Sequence, residues 1–218
     1  MIYHSYIFFD AEPAIHDLKK SEKEDYLQAF ADTVEHCTTV TTYAYATLVF
    51  KVDTRFMLYL SADTPEAIQV LVRDLLHTQL GRYLRITFTL NGMIRSSQYN
   101  PEHAPKASMS ETPHKYLVVY PFTKTIEWHL LPYDERRSMM KAHIDVGLKF
   151  SANISQLLLY SFGIDDHEFI VSYQMDTLEE FQTLVMELRG TEGRRYTKND
   201  TPIFTCISMS LLDALSMV

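Results

Sequence analysis

The residues best suited to chemistry lie close together, in the run YPFTKTIEWHLLPYDERRSMMKAHIDVGLKFSANISQ, residues 120–156. Tyr120 carries a phenol whose O–H can part with a hydrogen atom, and Lys124 offers an ammonium with three donors for an anionic group. Trp128 is the only tryptophan of the chain. His143 brings an imidazole, which titrates near neutrality or binds a metal, and Gln156 brings a neutral amide. Taken one at a time, each has an ordinary structural use: a strand-end aromatic, a solvated lysine, a core plug, a hydrogen-bonded core histidine.

The elements around them narrow that choice. A strand over residues 115–120 delivers Tyr120, and Pro121 keeps the chain extended there. A helix starts near residues 132–134, where proline suits a first turn and Asp134 and Glu135 suit the positive end of the helix dipole. Its apolar stripe falls on Met139, Met140, His143, Val146, Gly147 and Phe150, at steps of three and four. His143 is thus on the apolar face, with a glycine one turn later where a side chain would crowd it. A large flat ligand fits against such a gap.

The whole chain sets wider bounds. Its 218 residues, 46% hydrophobic, suffice for one large or two small cored domains. No apolar run approaches the ~20 residues of a membrane span. The start, MIYHSYIFFDAE, lacks the basic region and cleavage site of a signal peptide and reads as a first strand. Two cysteines, Cys37 and Cys206, are too few for a disulfide framework, which fits a reducing compartment and a cytoplasmic protein. The net charge of −8 is spread evenly: Lys+Arg against Asp+Glu is 10 to 14 before Lys115 and 10 to 14 from there on. That excludes the basic excess of a nucleic-acid binder. An anionic ligand must be held by a few local cations.

A repeat organises the elements. The first half reads strand, helix, strand, strand, helix, strand over residues 3–9, 21–36, 39–52, 55–60, 64–79 and 83–90; the second gives the same succession over 115–120, 133–151, 154–162, 168–174, 177–191 and 202–209. Asp63 and Asp176 read as N-caps of the second helix in each half. At one offset of 113, Tyr3 meets Tyr116, Phe56 meets Phe169, Asp63-Thr64 meets Asp176-Thr177, and Leu71-Val72 meets Leu184-Val185, with no gap needed. The pattern predicts an α+β fold built from a duplicated ferredoxin-like βαββαβ unit, whose two sheets cover each other as a barrel within one chain. The units are residues 1–90 and 115–218. A linker at 91–114, rich in proline and polar residues, serves either as a tether or as a flap over the second unit's pocket. His103 and His114 within it read as solvated. The offset also puts Phe30, Tyr43 and Ile7 in the places of His143, Gln156 and Tyr120, so only the second unit carries a site.

The Tyr-Pro-Phe-Thr-Lys turn, the Glu-Arg-Arg–x–Met-Met–x–x–His helix and the Tyr-Ser-x-Gly-x-Asp-Asp turn follow one another in that order. Met-Glu-Leu-Arg–x–Thr-Glu–x–Arg-Arg-Tyr-Thr and Asp-Thr-Pro-Ile-Phe-Thr come after them. This series, spanning about residues 116–207, resembles the chlorite dismutase-like haem proteins, a superfamily that includes the coproheme decarboxylases. The resemblance implies the barrel of two ferredoxin-like units, a homo-oligomeric ring such as a pentamer, and a bound porphyrin (haem b or coproheme) whose iron His143 ligates. It implies hydrogen peroxide as oxidant, with Tyr120 forming a radical that takes a hydrogen from a propionate so that carbon dioxide leaves and a vinyl group remains. Lys124 would hold a propionate carboxylate, with Lys149, Arg194 and Arg195 as further candidates. Met140 and its neighbours would pack on the macrocycle, a role that core packing explains equally well. Trp128 would lie at the macrocycle edge or plug the core. Gln156 stands where true chlorite dismutases have an arginine, as in many coproheme decarboxylases, which argues against chlorite turnover. The stretch between Lys124 and the helix is shorter than in many members. The leading expectation is therefore a peroxide-dependent coproheme decarboxylase; the alternatives are a chlorite dismutase-like or peroxidase-like haem enzyme, and a haem-binding protein without turnover.

Overall fold

In a computed structural model of the chain, residues 2–97, 99 and 114–218 are described. The elements run β1 (Tyr3–Ala11), α1 (Lys20–Glu35), β2 (Thr41–Ala46), β3 (Phe56–Ala62), α2 (Pro65–His77), β4 (Leu84–Met93), β5 (Tyr116–Lys124), α3 (Ile126–Leu130), α4 (Tyr133–Leu148), β6 (Ser155–Tyr160), β7 (Phe169–Met175), α5 (Leu178–Arg189), β8 (Thr197–Asn199), β9 (Phe204–Met209) and α6 (Leu211–Leu215). By internal contacts they form two compact units, Met1–Met93 with Phe204–Val218, and Ile94–Ile203.

In the first unit the antiparallel order is β4-β1-β3-β2, with β9 added beside β2. The second unit repeats it as β8-β5-β7-β6. Both are the ferredoxin-like arrangement, and the fold is α+β. The offset of 113 carries α1 onto α4 and β3 onto β7 residue for residue. Alternation fixes which side chains meet the helices. In the first unit Ile7 and Phe9 of β1 and Leu58 and Leu60 of β3 pack with Phe30 and Val34 of α1 and Ile68, Leu71 and Leu75 of α2. In the second, Val118 of β5 and Val171, Tyr173 and Met175 of β7 pack with Leu184 of α5, flanked by Val146 of α4 and by Phe150 just past its end.

Several expectations need correction. The strand read over residues 39–52 stops at Ala46; the apolar residues Val49 and Val52 beyond it are exposed in a loop, and Val49 has a φ of 79°. Their β-branched character misled because β-propensity reports fit to a half-buried pleated surface, and these residues cover none. Strand β5 runs through Pro121 to Lys124, since proline's fixed φ is compatible with extended backbone. Helix α2 is capped by Thr64, whose hydroxyl accepts from Ala67 N at 3.3 Å, and not by Asp63. Asp176 instead accepts from Lys115 N at 2.9 Å and pairs with His114 at 3.1 Å, so His114 is not simply solvated. The repeat also contains a slip: Gln156 lies opposite Tyr173, whereas Tyr43 lies opposite Tyr59 and it is Thr42 that faces Leu60. Through β2 and β6 the offset is therefore 114, and the counterpart of Gln156 is Thr42. The linker read at 91–114, with His103, lies mostly outside the described residues. Of it, Ser97 and Tyr99 belong to the second unit, where Tyr99 stacks on Tyr133 and meets Trp128 edge-on.

Candidate functional site

The two units differ where α1 and α4 meet their sheets. Helix α1 buries Phe30, Ala31 and Val34, and Phe30, 0% exposed, packs edge-on against Phe56 at 6.5 Å between centroids. Helix α4 has no fully buried residue. Its stripe of Met140, His143, Ile144 and Gly147 instead lines a cavity of about 400 Å³, within the range of small-molecule and cofactor sites. Strands supply the other wall: Tyr120 from β5, Gln156 and Leu158 from β6, Val171 and Tyr173 from β7. Leu184, Val185 and Leu188 of α5 make it more apolar still.

One end of the cavity is charged. Lys124, at the end of β5, lines it together with Arg189 and Arg194. Asp200 accepts from both arginines, at 2.6 Å from Arg189 and 2.8 Å from Arg194. One carboxylate between two guanidinium groups leaves a net positive end. Lys124 is held by several neighbours at once. Its backbone N–H donates to Glu168 at 2.8 Å, its Nζ donates to the Gly193 carbonyl at 3.2 Å, and the ammonium sits 4.4 Å over the Trp128 ring. Burial and the Arg194 charge bring the Lys124 ammonium down to about 8, against a smaller opposing pull from Glu168, so it remains a cation at neutral pH.

Burial and, to a lesser extent, the Lys124 cation bring His143 down to about 4. Its imidazole is neutral at pH 7 and has a lone pair to give. A Cβ added to Gly147, one turn on, meets nothing within 4 Å, so the glycine leaves the helix wall open to the cavity. Among the described residues no group of three or more His, Cys, Asp or Glu is placed to hold a metal ion. A macrocycle is one source of the further ligands that a metal at His143 would need. Neutral imidazole, open glycine, apolar walls and a cationic end for carboxylates together fit an iron porphyrin with acidic side chains.

Of the residues singled out in the sequence, Tyr120, Lys124, Met140, His143 and Gln156 are brought together on this cavity, and so is Arg194. Trp128 is buried beneath Lys124 and beside Tyr196, at 5.7 Å, in place of lining the cavity. Lys149 lies outside the lining and pairs with Glu187 at 2.9 Å; Arg195 pairs with Glu192 at 3.2 Å. Arg189, Asp200 and Tyr173 were not singled out as site residues. Arg189 and Asp200 do lie within the motifs quoted above, so a signal for them existed. Tyr173 sits in an ordinary alternating strand and gave none.

A sequence profile of the chlorite dismutase family matches residues 19–209. A coproheme decarboxylase of Mycolicibacterium smegmatis is 32% identical over 156 residues, which cover 71% of this chain and 67% of that protein. Among solved structures, a mutant chlorite dismutase from Candidatus Nitrospira defluvii superposes with a TM-score of 0.92 at 22% identity, covering 99% of this chain and 94% of that one. The same organism's enzyme in complex with imidazole gives 0.90 at 21% identity over the same shares. These structural likenesses concern the fold, and the matched fold is that of chlorite dismutase. With the profile covering most of its length and a relative above 30% identity, the chain belongs to the chlorite dismutase family.

Proposed function

We propose that this protein is a peroxide-dependent coproheme decarboxylase that produces haem b. The observation that carries the reading is the meeting, on one cavity, of Tyr120, Lys124 and His143 with a neutral amide, Gln156, on the sheet wall. The M. smegmatis relative, named for this activity, supports it.

Each side chain has a task that its setting suits. His143, neutral and on the helix wall, would ligate the iron of the bound porphyrin. Lys124 would hold one propionate carboxylate as the anion, and Arg189 and Arg194 another, with Asp200 fixing both guanidinium groups. The apolar side chains Met140, Ile144 and Leu188 would cover the macrocycle and exclude water. Burial raises the Tyr120 phenol above its usual range, so it keeps its O–H at working pH. A phenol can lose that hydrogen atom, spread the unpaired electron over its ring, and regain hydrogen from a propionate carbon. Bound iron porphyrin would supply the reduction of peroxide that drives this. In balance, each propionate carboxylate with one hydrogen peroxide and one proton gives a vinyl group, carbon dioxide and two waters.

Gln156 bears on the alternative within the family. It offers no positive charge to orient an oxychlorine anion, and charge-assisted contacts are the strong ones. Free Cys37 and Cys206 support a reducing, cytoplasmic setting, and no helix among the described residues is long and apolar enough to cross a membrane. The test is to load the chain with coproheme, add peroxide, and follow the porphyrin by mass spectrometry. Loss of two carboxyl groups with formation of two vinyl groups is expected. Bound coproheme that survives peroxide unchanged would sink the reading in favour of a haem-binding protein without turnover, and sustained oxygen release from chlorite would favour the dismutase.

A further inference from the structure

Behind Tyr120 stands a second phenol to which the reaction above gives no task. Tyr173 of β7 pairs in register with Val118 of β5 on one side and with Gln156 of β6 on the other. Tyr120 lies two residues beyond Val118, so it emerges on the same face of the sheet, on the diagonal from Tyr173. The rings stack with centroids 6.2 Å apart and planes 26° from parallel. Tyr173 is buried, and its far side packs on Phe181 at 5.2 Å. In the first unit the same two positions are Ile7 and Leu60, plain core residues. At this pair of positions the repeat has phenols in the unit that carries the cavity and aliphatic residues in the other.

A buried phenol hydroxyl calls for a polar partner, and the Tyr120 hydroxyl is the group that meets it. Burial raises both phenols, so both keep their hydrogens, and the two hydroxyls meet in a side-chain hydrogen bond. Tyr173 is enclosed in the core while Tyr120 is part-exposed at the cavity, so the pair is satisfied when the enclosed Tyr173 hydroxyl donates and Tyr120 accepts. Polarity matters here because each phenol has a single hydrogen. Were Tyr120 the donor, its hydrogen would point into the sheet, away from any substrate. As acceptor, it has its own hydrogen free to face the cavity that its side chain lines.

We propose that Tyr173 is a positioning residue, whose hydroxyl donates to Tyr120 Oη and so turns the Tyr120 hydrogen out of the sheet and into the cavity. The proposal rests on the reading of Tyr120 as the hydrogen-atom carrier. Its test has two arms. The first needs no porphyrin: in the full chain labelled with 13C-tyrosine, a buried and bonded Tyr173 hydroxyl proton exchanges slowly with water and gives its own NMR resonance. Tyr173→Phe should remove that resonance, and Tyr120→Phe, which takes away only the acceptor, should displace it or lose it to exchange. The second arm uses the coproheme-loaded chain. Tyr173→Phe should bind coproheme within about twofold of wild type yet form vinyl groups about tenfold more slowly, as loss of one hydrogen bond's worth of orientation implies. A Tyr173 hydroxyl proton that is absent in wild type, or unmoved in Tyr120→Phe, overturns the bond. A wild-type vinyl rate in Tyr173→Phe overturns the role. Should the wild-type chain form no vinyl group at all, the decarboxylase reading fails instead, and the first arm alone decides whether Tyr173 aims Tyr120. The Tyr120→Phe spectrum also keeps the test alive if Tyr173→Phe does not fold.

Discussion

Phe30 and His143 occupy one position in two copies of a fold, and their truncation should have opposite consequences. Phe30 is 0% exposed between Phe56 and the second helix of its unit, so Phe30→Ala removes a ring from a closed core. Large-to-small changes of this kind cost about 3–5 kcal/mol. With a urea slope of about 3 kcal/mol/M for a chain this long, the midpoint should fall by roughly 1–1.7 M. His143 lines an open cavity, and His143→Ala widens that space without creating a new void in a packed core. Its effect on the porphyrin-free chain should stay within about 1 kcal/mol, the range of substitutions that break no core packing. The order reverses once haem is added. Phe30→Ala should bind one haem per chain with an unchanged histidine-ligated spectrum, while His143→Ala should bind weakly and lose that spectrum. Urea melts of the three porphyrin-free proteins, followed by haem titration, read out both halves. A histidine-ligated spectrum in His143→Ala, or equal urea midpoints for the two variants, would refute the reasoning.

Tyr120→Phe should keep its coproheme affinity to within about one hydrogen bond, roughly 1 kcal/mol, and yield no vinyl product; haem b made at a wild-type rate would reduce Tyr120 to a strand-end aromatic. Arg194→Gln removes one of the two cations on Asp200, and because the group is part-exposed the loss should be modest, about fivefold in coproheme affinity at low salt and less at high salt. A porphyrin without carboxylates should bind both proteins equally, and a similar loss for that porphyrin would show that the arginine acts on packing alone. His4, buried against Tyr59 at 2.7 Å, is brought down by burial to about 4 from 6.5, so the unfolded chain takes up its proton first as pH falls. The stability it contributes is complete above pH 6.5 and drains between 6.5 and 4, by about 3 kcal/mol in all. Denaturant melts across that range should show a shallower loss in His4→Gln than in wild type, and parallel curves would rule the histidine out.

Much of this architecture is legible in the residues because it depends on local period. Alternation in β1, β3, β5 and β7 and three-four steps in the helices set the elements, and a common offset from Tyr3 and Tyr116 onward marked the duplication. The slip at Gln156 escaped because one residue is gained before β6 and one lost after it, so the flanking elements stay in phase at 113. The five-residue helix α3 is too short to show a period. Arg189 was hidden by its place in the last turn of α5, where a cation suits the helix dipole whatever else it does. Lys149 looked like Arg194 in sequence, and only the fold separates them, by turning one toward Glu187 and the other toward the cavity. Motif order found the tyrosine, lysine and histidine; three-dimensional convergence was needed to find what surrounds them.

Duplication also explains how the cavity can exist in a stable chain. A neutral, half-buried imidazole, a lysine lowered to about 8 and an open glycine all oppose tight packing, and they lie on helix α4 and at the end of β5 in the second unit. There, α4 reaches the core through Val146, with Phe150 just beyond its end, and α5 through Leu184 and Leu188. That seam holds the helices to the sheet, and Leu184 and Leu188 within it also line the cavity. The first unit shows the same helix face closed by Phe30, with Ile7 and Leu60 where the second has Tyr120 and Tyr173. Filling the second cavity the same way would need only residues the repeat already uses in its other copy. That it is instead lined by Tyr120, Tyr173 and His143, none of which improves on its counterpart as a packing group, is what the proposed function would account for.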